Sequence, residues 1–395
     1  MRIILGAVLS RHPFVPGSVW HRLNYILGLR KLGHEVYWVE DVHPSWCVDV
    51  DGRKCPFDRS VNRELFRQTL DRFDLTDRAC QIYNQGEATF GMSMSALVEI
   101  ARGADLLLNM SGHVKARPVL ESVARRAYED HDPVYTQLWC AEYGKDLGFA
   151  AHEVFFTRGL NIGTPYSHIP DCGVQWNPIL PPVVPEYWPA ARDDRGGRRF
   201  TTVASWGGYS DLCYRGEWYR SKYAEFRRFA DLPRRVGREL EVVLKGYRPE
   251  DEGVGLLRDN GWHLVDPDGI ADLCAYQEYI ARSRAEIGIA KNAYVKGRSG
   301  WFSDRAAHYL ASGRPVLHQS TGFERHIPTS RGLLSFATVE EAAAGIEAID
   351  RDYDRHCEAA REIAAEYLDY RKVLPALLEA CMAPAARRAP VVQEV

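Results

Sequence analysis

Short apolar runs alternate with stretches whose apolar residues recur at helical spacing along nearly the whole chain. Arg2 to Leu9 is apolar and β-prone, and Trp20 to Leu32 places Leu23, Ile26 and Leu27 on one helical face. Gly33 stops that helix and His34 to Glu40 resumes as a buried strand, so the first forty residues predict a βαβ unit. A helix-rich stretch from Asn62 to Phe73 leads toward Ala79 to Tyr83, and Met92 to Arg102 is amphipathic. Ala104 to Asn109 reads as a parallel-type strand, Pro118 to Glu129 as a helix, and Val134 to Leu138 and Glu153 to Thr157 as strands.

A proline-rich segment, residues 177–197, ends in a charged, glycine-containing stretch and reads as a linker. Beyond it the pattern restarts with strand Phe200 to Ser205, helix Tyr219 to Ala230, and strands Leu240 to Lys245 and Trp262 to Val265. Helix Leu273 to Arg282, strand Ala285 to Ile289, helix Asp304 to Ser312, strand Pro315 to Gln319 and a helix from Val339 follow. The order predicts two Rossmann-like α/β domains facing each other across a cleft, where small-molecule sites concentrate. The expected division is a first domain over 1–176, a linker over 177–197 and a second domain over 198–350. Helices over 351–382 are expected to pack back toward the first domain, and 383–395 to form a flexible tail.

Composition narrows the function classes. A chain of 395 residues, 46% hydrophobic, has room for two cores. A formal net charge of −3 gives no field for nucleic acid, so no nucleic-acid partner is expected, while peripheral contact with a membrane stays open. The amino-terminal apolar run is too short for a secretory leader, and no stretch approaches the ~20 residues of a bilayer span, so a cytoplasmic protein is expected. The nine cysteines form no CxxC pair, and the histidines show no ligand spacing, so neither disulfides nor a protein-bound metal is expected. Oligomeric state is not legible.

The segment richest in chemistry runs from Lys291 to Arg325. Ser303 reads as an N-cap with Asp304 in the first turn, and helix-terminal amides suit a diphosphate. Lys296 and Arg298 add positive charge, Gly297 and Gly300 permit close backbone approach, and Ser299 and Phe302 complete the loop. An ordinary capped surface helix with solvated basic neighbours is the alternative. After this helix the chain turns into a strand that delivers Thr321 and Gly322 to the same sheet edge, and Lys291 stands at the end of the preceding strand.

The run SDRAAHYLASGRPVLHQSTGFERHI resembles the carboxyl-terminal donor domain of glycosyltransferases with the GT-B fold, especially the group 1 families. The segments RGLLSF and PGSVWHRLNYILGLRKLGHEVYWVE resemble their closing and opening motifs. The resemblance implies transfer of a sugar from a nucleotide-diphosphate sugar to a small-molecule or glycan hydroxyl. It also implies that Gly17 and Ser18 face the donor phosphates and that Trp206, Gly207 and Lys245 approach the donor from strand ends. The families' glutamate pair is missing: its positions fall on His308 and near Gly300, leaving Asp304 to supply a carboxylate. For the acceptor's proton the resemblance offers three histidines, His12, His21 and His113, with neither inversion nor retention favoured. A nucleotide-sugar epimerase and a two-lobed sugar-binding protein are the alternatives, and the absence of GxGxxG after the first strand disfavours a dinucleotide oxidoreductase.

Overall fold

The computed structural model describes residues 1–11, 15–188, 199–248 and 250–384. The first half runs β1 (Arg2–Gly6), α1 (Pro16–Lys31), β2 (Glu35–Val42), α2 (Val61–Arg72), β3 (Ala79–Tyr83), β4 (Ala88–Gly91), α3 (Met94–Arg102) and β5 (Leu106–Met110). It continues with α4 (Arg117–Leu120), β6 (Arg126–Asp130), α5 (Tyr135–Ala141), β7 (Val154–Thr157) and β8 (Trp176–Pro178). Among the described residues these strands form an eight-stranded sheet, β4-β3-β2-β1-β5-β6-β7-β8, parallel except where β4 meets β3.

The second half runs β9 (Phe200–Ser205), β10 (Leu212–Tyr214), β11 (Glu217–Tyr219), α6 (Lys222–Arg228), α7 (Leu232–Val236), β12 (Leu240–Lys245), α8 (Glu252–Asp259) and β13 (Trp262–Val265). Then come α9 (Leu273–Arg282), β14 (Ala285–Gly288), α10 (Asn292–Lys296), α11 (Asp304–Ala311), β15 (Val316–Gln319), β16 (Leu333–Phe336), α12 (Val339–Arg351), α13 (Tyr353–Ile363) and α14 (Tyr370–Met382). The order β13-β12-β9-β14-β15-β16 makes a parallel six-stranded sheet, with β10 and β11 as a separate hairpin. Both sheets are doubly wound, with strands such as β5 and β12 buried through nearly their full length.

Two stretches join the halves. Part of the expected linker, residues 189–197, lies outside the described residues, as do 385–395 of the expected tail. Around Val183 the first crossing pairs with the second: the Val183 amide donates to Leu368 and the Tyr370 amide donates back to Val183. Helix α14 lies on α1, where the hydrogen of Gly28 leaves room for Leu374 and Tyr370. No helix among the described residues is long and apolar enough to cross a membrane.

The segment 118–138 differs from the sequence reading. The expected helix over Pro118 to Glu129 is a single turn followed by β6, and the expected strand over Val134 to Leu138 is α5. The cause is Asp130, a fully buried carboxylate that accepts hydrogen bonds from Thr136 (2.6 Å), Gln137 (2.9 Å) and Thr157 (2.7 Å) and so organises the turn into α5. The expected helix from Tyr219 likewise starts later, at Lys222, because β11 takes its first residue.

Gly332, just before β16, has φ +73° and a Cβ there would stand 2.4 Å from the Ala360 amide nitrogen of α13. Gly332→Ala is expected to cost about 2–4 kcal/mol from backbone strain and overpacking, read as a lower denaturation midpoint.

Candidate functional site

Where the carboxyl ends of the two sheets face each other, a cleft of about 360 Å³ opens between the halves. Its walls come from the turns after β6, β7, β9, β12 and β14 and from the amino ends of α1, α6 and α11, as open α/β sheets dictate.

Of the residues singled out from sequence, Gly17, Ser18, His21, Gly207, Lys245, Ser303 and Asp304 line this cleft. Lys291 does too. His12 lies outside the described residues. In the loop from 296 to 302, Trp301 reaches the cleft, whereas Lys296, Arg298, Ser299, Gly300 and Phe302 do not, because the loop forms the seam between the halves. Asn161 of the first half donates to the carbonyls of Arg298 (3.0 Å) and Gly322 (3.2 Å), and Gly300 and Gly322 are glycine with positive φ against that side chain. Ser299 is buried with its hydroxyl on the Tyr294 carbonyl, and Thr321 bonds the Trp301 carbonyl. Phe302 packs on His318 and Phe323 in the core. Lys296 pairs with Glu217 of the hairpin instead of a ligand. Trp206 is core, its indole donating to Asp251 at 2.8 Å.

His308 and His113 also stand back from the cleft. His308 is stacked on Trp188 at 4.2 Å, bonded to Asn24, and pushed down to about 4 by burial. That packing occupies the place where the family resemblance puts a glutamate. His113 is half-buried beside β5, and desolvation together with Arg22 and Arg11 drives it to about 3.

The histidine that reaches the cleft beside His21 is His131, one strand further along, which the sequence reading passed over. Its Nε2 lies 3.1 Å from Glu129 at the end of β6. Burial alone would raise the Glu129 carboxyl, but His131 and Arg158 override it and bring it down to about 2. Arg158 Nε and the Tyr25 hydroxyl donate to the same carboxylate oxygen at 3.1 and 2.5 Å. Arg158 also donates to the His21 ring, 3.1 Å from Nε2, and burial beside this cation holds His21 well below the usual imidazole value. His21, Glu129 and His131 could converge on a cation, but the Arg158 guanidinium already carries the positive charge among them.

Cations crowd the rest of the cleft, on both halves. Lys222, first residue of α6, is 7% exposed and, among the described residues, has no hydrogen bond or ion pair. Burial, Arg305 and Lys291 hold its amine well below the ordinary lysine value. Arg22 is anchored by one guanidinium nitrogen to Ser18 (2.7 Å to the carbonyl, 2.5 Å to the hydroxyl). Its buried Nε has no partner, and no carboxylate of the described residues lies within ion-pair distance. Arg305 pairs with buried Glu286, and Lys291 reaches Asp132 at 2.7 Å. Arg22 and Arg158 each stand singly beside apolar residues, and Lys222 in a predicted helix, so none of the three carries a motif.

No family model and no curated protein matches the sequence. Solved structures do match over nearly the full length. An α-glucosyltransferase in complex with UDP-glucose and abasic-site DNA superposes at TM-score 0.58 with 12% identity, covering 97% of this chain and 99% of that one. HepE of Anabaena, in complex with UDP and glucose, gives TM-score 0.55 at 12% identity over 96% and 98%. The sucrose-phosphate synthase of Thermosynechococcus elongatus gives 0.52 at 12% over 96% and 98%. The fold is GT-B. In GT-B terms the cleft just described lies between the two Rossmann-like domains, with His131 and Glu129 on the first and Lys222, Lys291 and Asp304 on the second.

Proposed function

We propose that the protein transfers a glycosyl group from a nucleoside-diphosphate sugar to a hydroxyl of a small-molecule or glycan acceptor. The observation that carries the reading is Lys222, an enclosed amine with no anion of its own, facing a cleft that also holds Arg22 and Lys291. A buried cation without a counter-charge is costly unless a ligand supplies one, and a diphosphate supplies two negative charges. The amino end of α1, with Gly17 and Ser18 in the cleft, adds its helix dipole to the same charge. GT-B relatives in structure were captured with UDP or UDP-glucose, which supports the same ligand class.

In this reading Lys222, Arg22 and the α1 terminus stabilise the departing diphosphate, with no protein-bound metal invoked. Asp304 offers an acceptor for donor hydroxyls. His131, held against Glu129, takes the proton from the acceptor hydroxyl. One structural relative was captured with DNA. The net charge of −3 favours a non-nucleic acceptor here.

The test is a panel of UDP, dTDP and GDP sugars assayed for donor hydrolysis and binding. At least one donor is expected to bind and to be slowly hydrolysed without acceptor. Failure of every donor to bind the folded protein sinks the reading.

A further inference from the structure

Three ion pairs border the cleft, and one differs in kind. Glu129 with Arg158 and Glu286 with Arg305 have fully buried carboxylates set behind the wall, each bonded by one guanidinium Nε while a second nitrogen of the same guanidinium is tied elsewhere, to His21 and Tyr25 for Arg158 and to the Val203 carbonyl for Arg305. Asp132 instead puts its carboxylate in the cleft itself, with side-chain exposure of 27% against 16% for its partner Lys291. A lysine is a compact point charge on a flexible stem, free to change partners where these guanidinia are each held at more than one point.

The donors gathered on Asp132 resemble those a phosphate oxygen would recruit. Lys291 Nζ approaches Oδ1 at 2.7 Å, the Tyr294 hydroxyl donates to Oδ1 at 2.9 Å, and the Tyr209 hydroxyl donates to Oδ2 at 2.7 Å. All three come from the second half of the chain, whereas Asp132 comes from the first. The Lys291 amine also lies over the rings of Tyr209 (4.4 Å), Tyr294 (4.9 Å) and Tyr135 (5.1 Å), which hold it at the cleft. It shares the cleft with Lys222, whose amine burial and then Arg305 hold low and which Lys291 lowers further.

We propose that Asp132 is a built-in competitor for the donor's diphosphate, neutralising Lys291 in the empty cleft and so weakening both donor binding and product retention. The inference rests on the proposed function. It assigns Asp132 a positioning role: it acts on the ligand through Lys291 and through its own negative charge. When the diphosphate enters, Lys291 exchanges one anion for another. When the nucleoside diphosphate leaves, Asp132 takes the amine back.

The test is calorimetric titration of the full chain with UDP, and with GDP and dTDP in parallel. Asp132→Asn keeps an oxygen and an amide for the tyrosine hydroxyls and removes the charge, so binding is expected to tighten about tenfold, with a slower turnover limited by release. Asp132→Ser serves the same purpose should the asparagine variant not fold. Lys291→Met is expected to weaken binding about tenfold, and the double variant to return near the wild-type value. Unchanged or weaker binding in a folded Asp132→Asn or Asp132→Ser protein overturns the proposal, even if its melting temperature has shifted. Binding of no nucleoside diphosphate by the wild type is a separate result, and it removes the functional reading as well.

Discussion

Lys222→Met is expected to weaken binding of the donor and of the free nucleoside diphosphate about 30- to 150-fold while leaving the fold intact. A charge-assisted bond to a phosphate oxygen contributes on the order of 2–3 kcal/mol, which sets that range. The fold should survive because the amine has no bond to lose among the described residues. Methionine fills similar volume without a charge to desolvate, so the ligand-free variant should melt at or above the wild-type temperature. A structural lysine would behave in the opposite way, losing stability and affinity together. Calorimetric binding and thermal melts on the same preparations separate the two.

The depressed Lys222 amine also fixes two pH dependences. Its folded value lies well below the unfolded 10.5, so between the two the unfolded chain binds more protons. This group's contribution therefore makes stability rise with pH across that window, and the contribution disappears in Lys222→Met. A bound diphosphate favours the protonated amine, so donor binding should take up a proton and weaken as pH rises through the folded value. Titration in buffers of different ionisation enthalpy reads that uptake directly.

The sequence made the sheet strands of the second half and several of its helices legible, whereas the β10–β11 hairpin and the helices α7, α8 and α10 were not read: strand Trp262 to Val265 and helix Leu273 to Arg282 stand where periodicity puts them. These elements are apolar on the faces they bury, so pattern and packing agree. It failed where buried charge shapes the chain. Glu129 and Asp130 are fully buried acids at the end of β6, and an acidic stretch read by pattern alone passes for the exposed end of a helix. That misreading hid His131, which follows β6 as His113 follows β5. Lys222 was obscured in the same way, lying in a predicted helix where a lysine looks solvated. The basic loop around Lys296 and Arg298 drew attention because its residues cluster in sequence. In the fold, the Arg298 backbone is engaged at the seam and the Lys296 side chain at the hairpin.

His131→Ala should lower the rate of sugar transfer about 10²–10⁴-fold with little change in donor affinity, the loss typical of removing a positioned acid or base. The effect should fall on turnover because His131 belongs to the first half, whereas the cations proposed to grip the diphosphate, apart from Arg22, stand on the second. Added imidazole should restore part of the rate if the ring acts chemically, and a packing role would not be rescued in this way. Glu129→Gln asks a different question of the same cluster. It leaves the Arg158 guanidinium, 4% exposed, without its counter-charge, and breaking such a buried pair costs about 3–5 kcal/mol. In the wild type the stabilisation from the depressed Glu129 carboxyl is complete above the unfolded 4.5 and is lost as pH falls through about 2. The glutamine variant should lack that acid-side dependence. A protein that keeps its fold and donor affinity but loses turnover in His131→Ala assigns the proton transfer to the imidazole, while a loss of mainly stability in Glu129→Gln assigns the carboxylate to holding Arg158 in place.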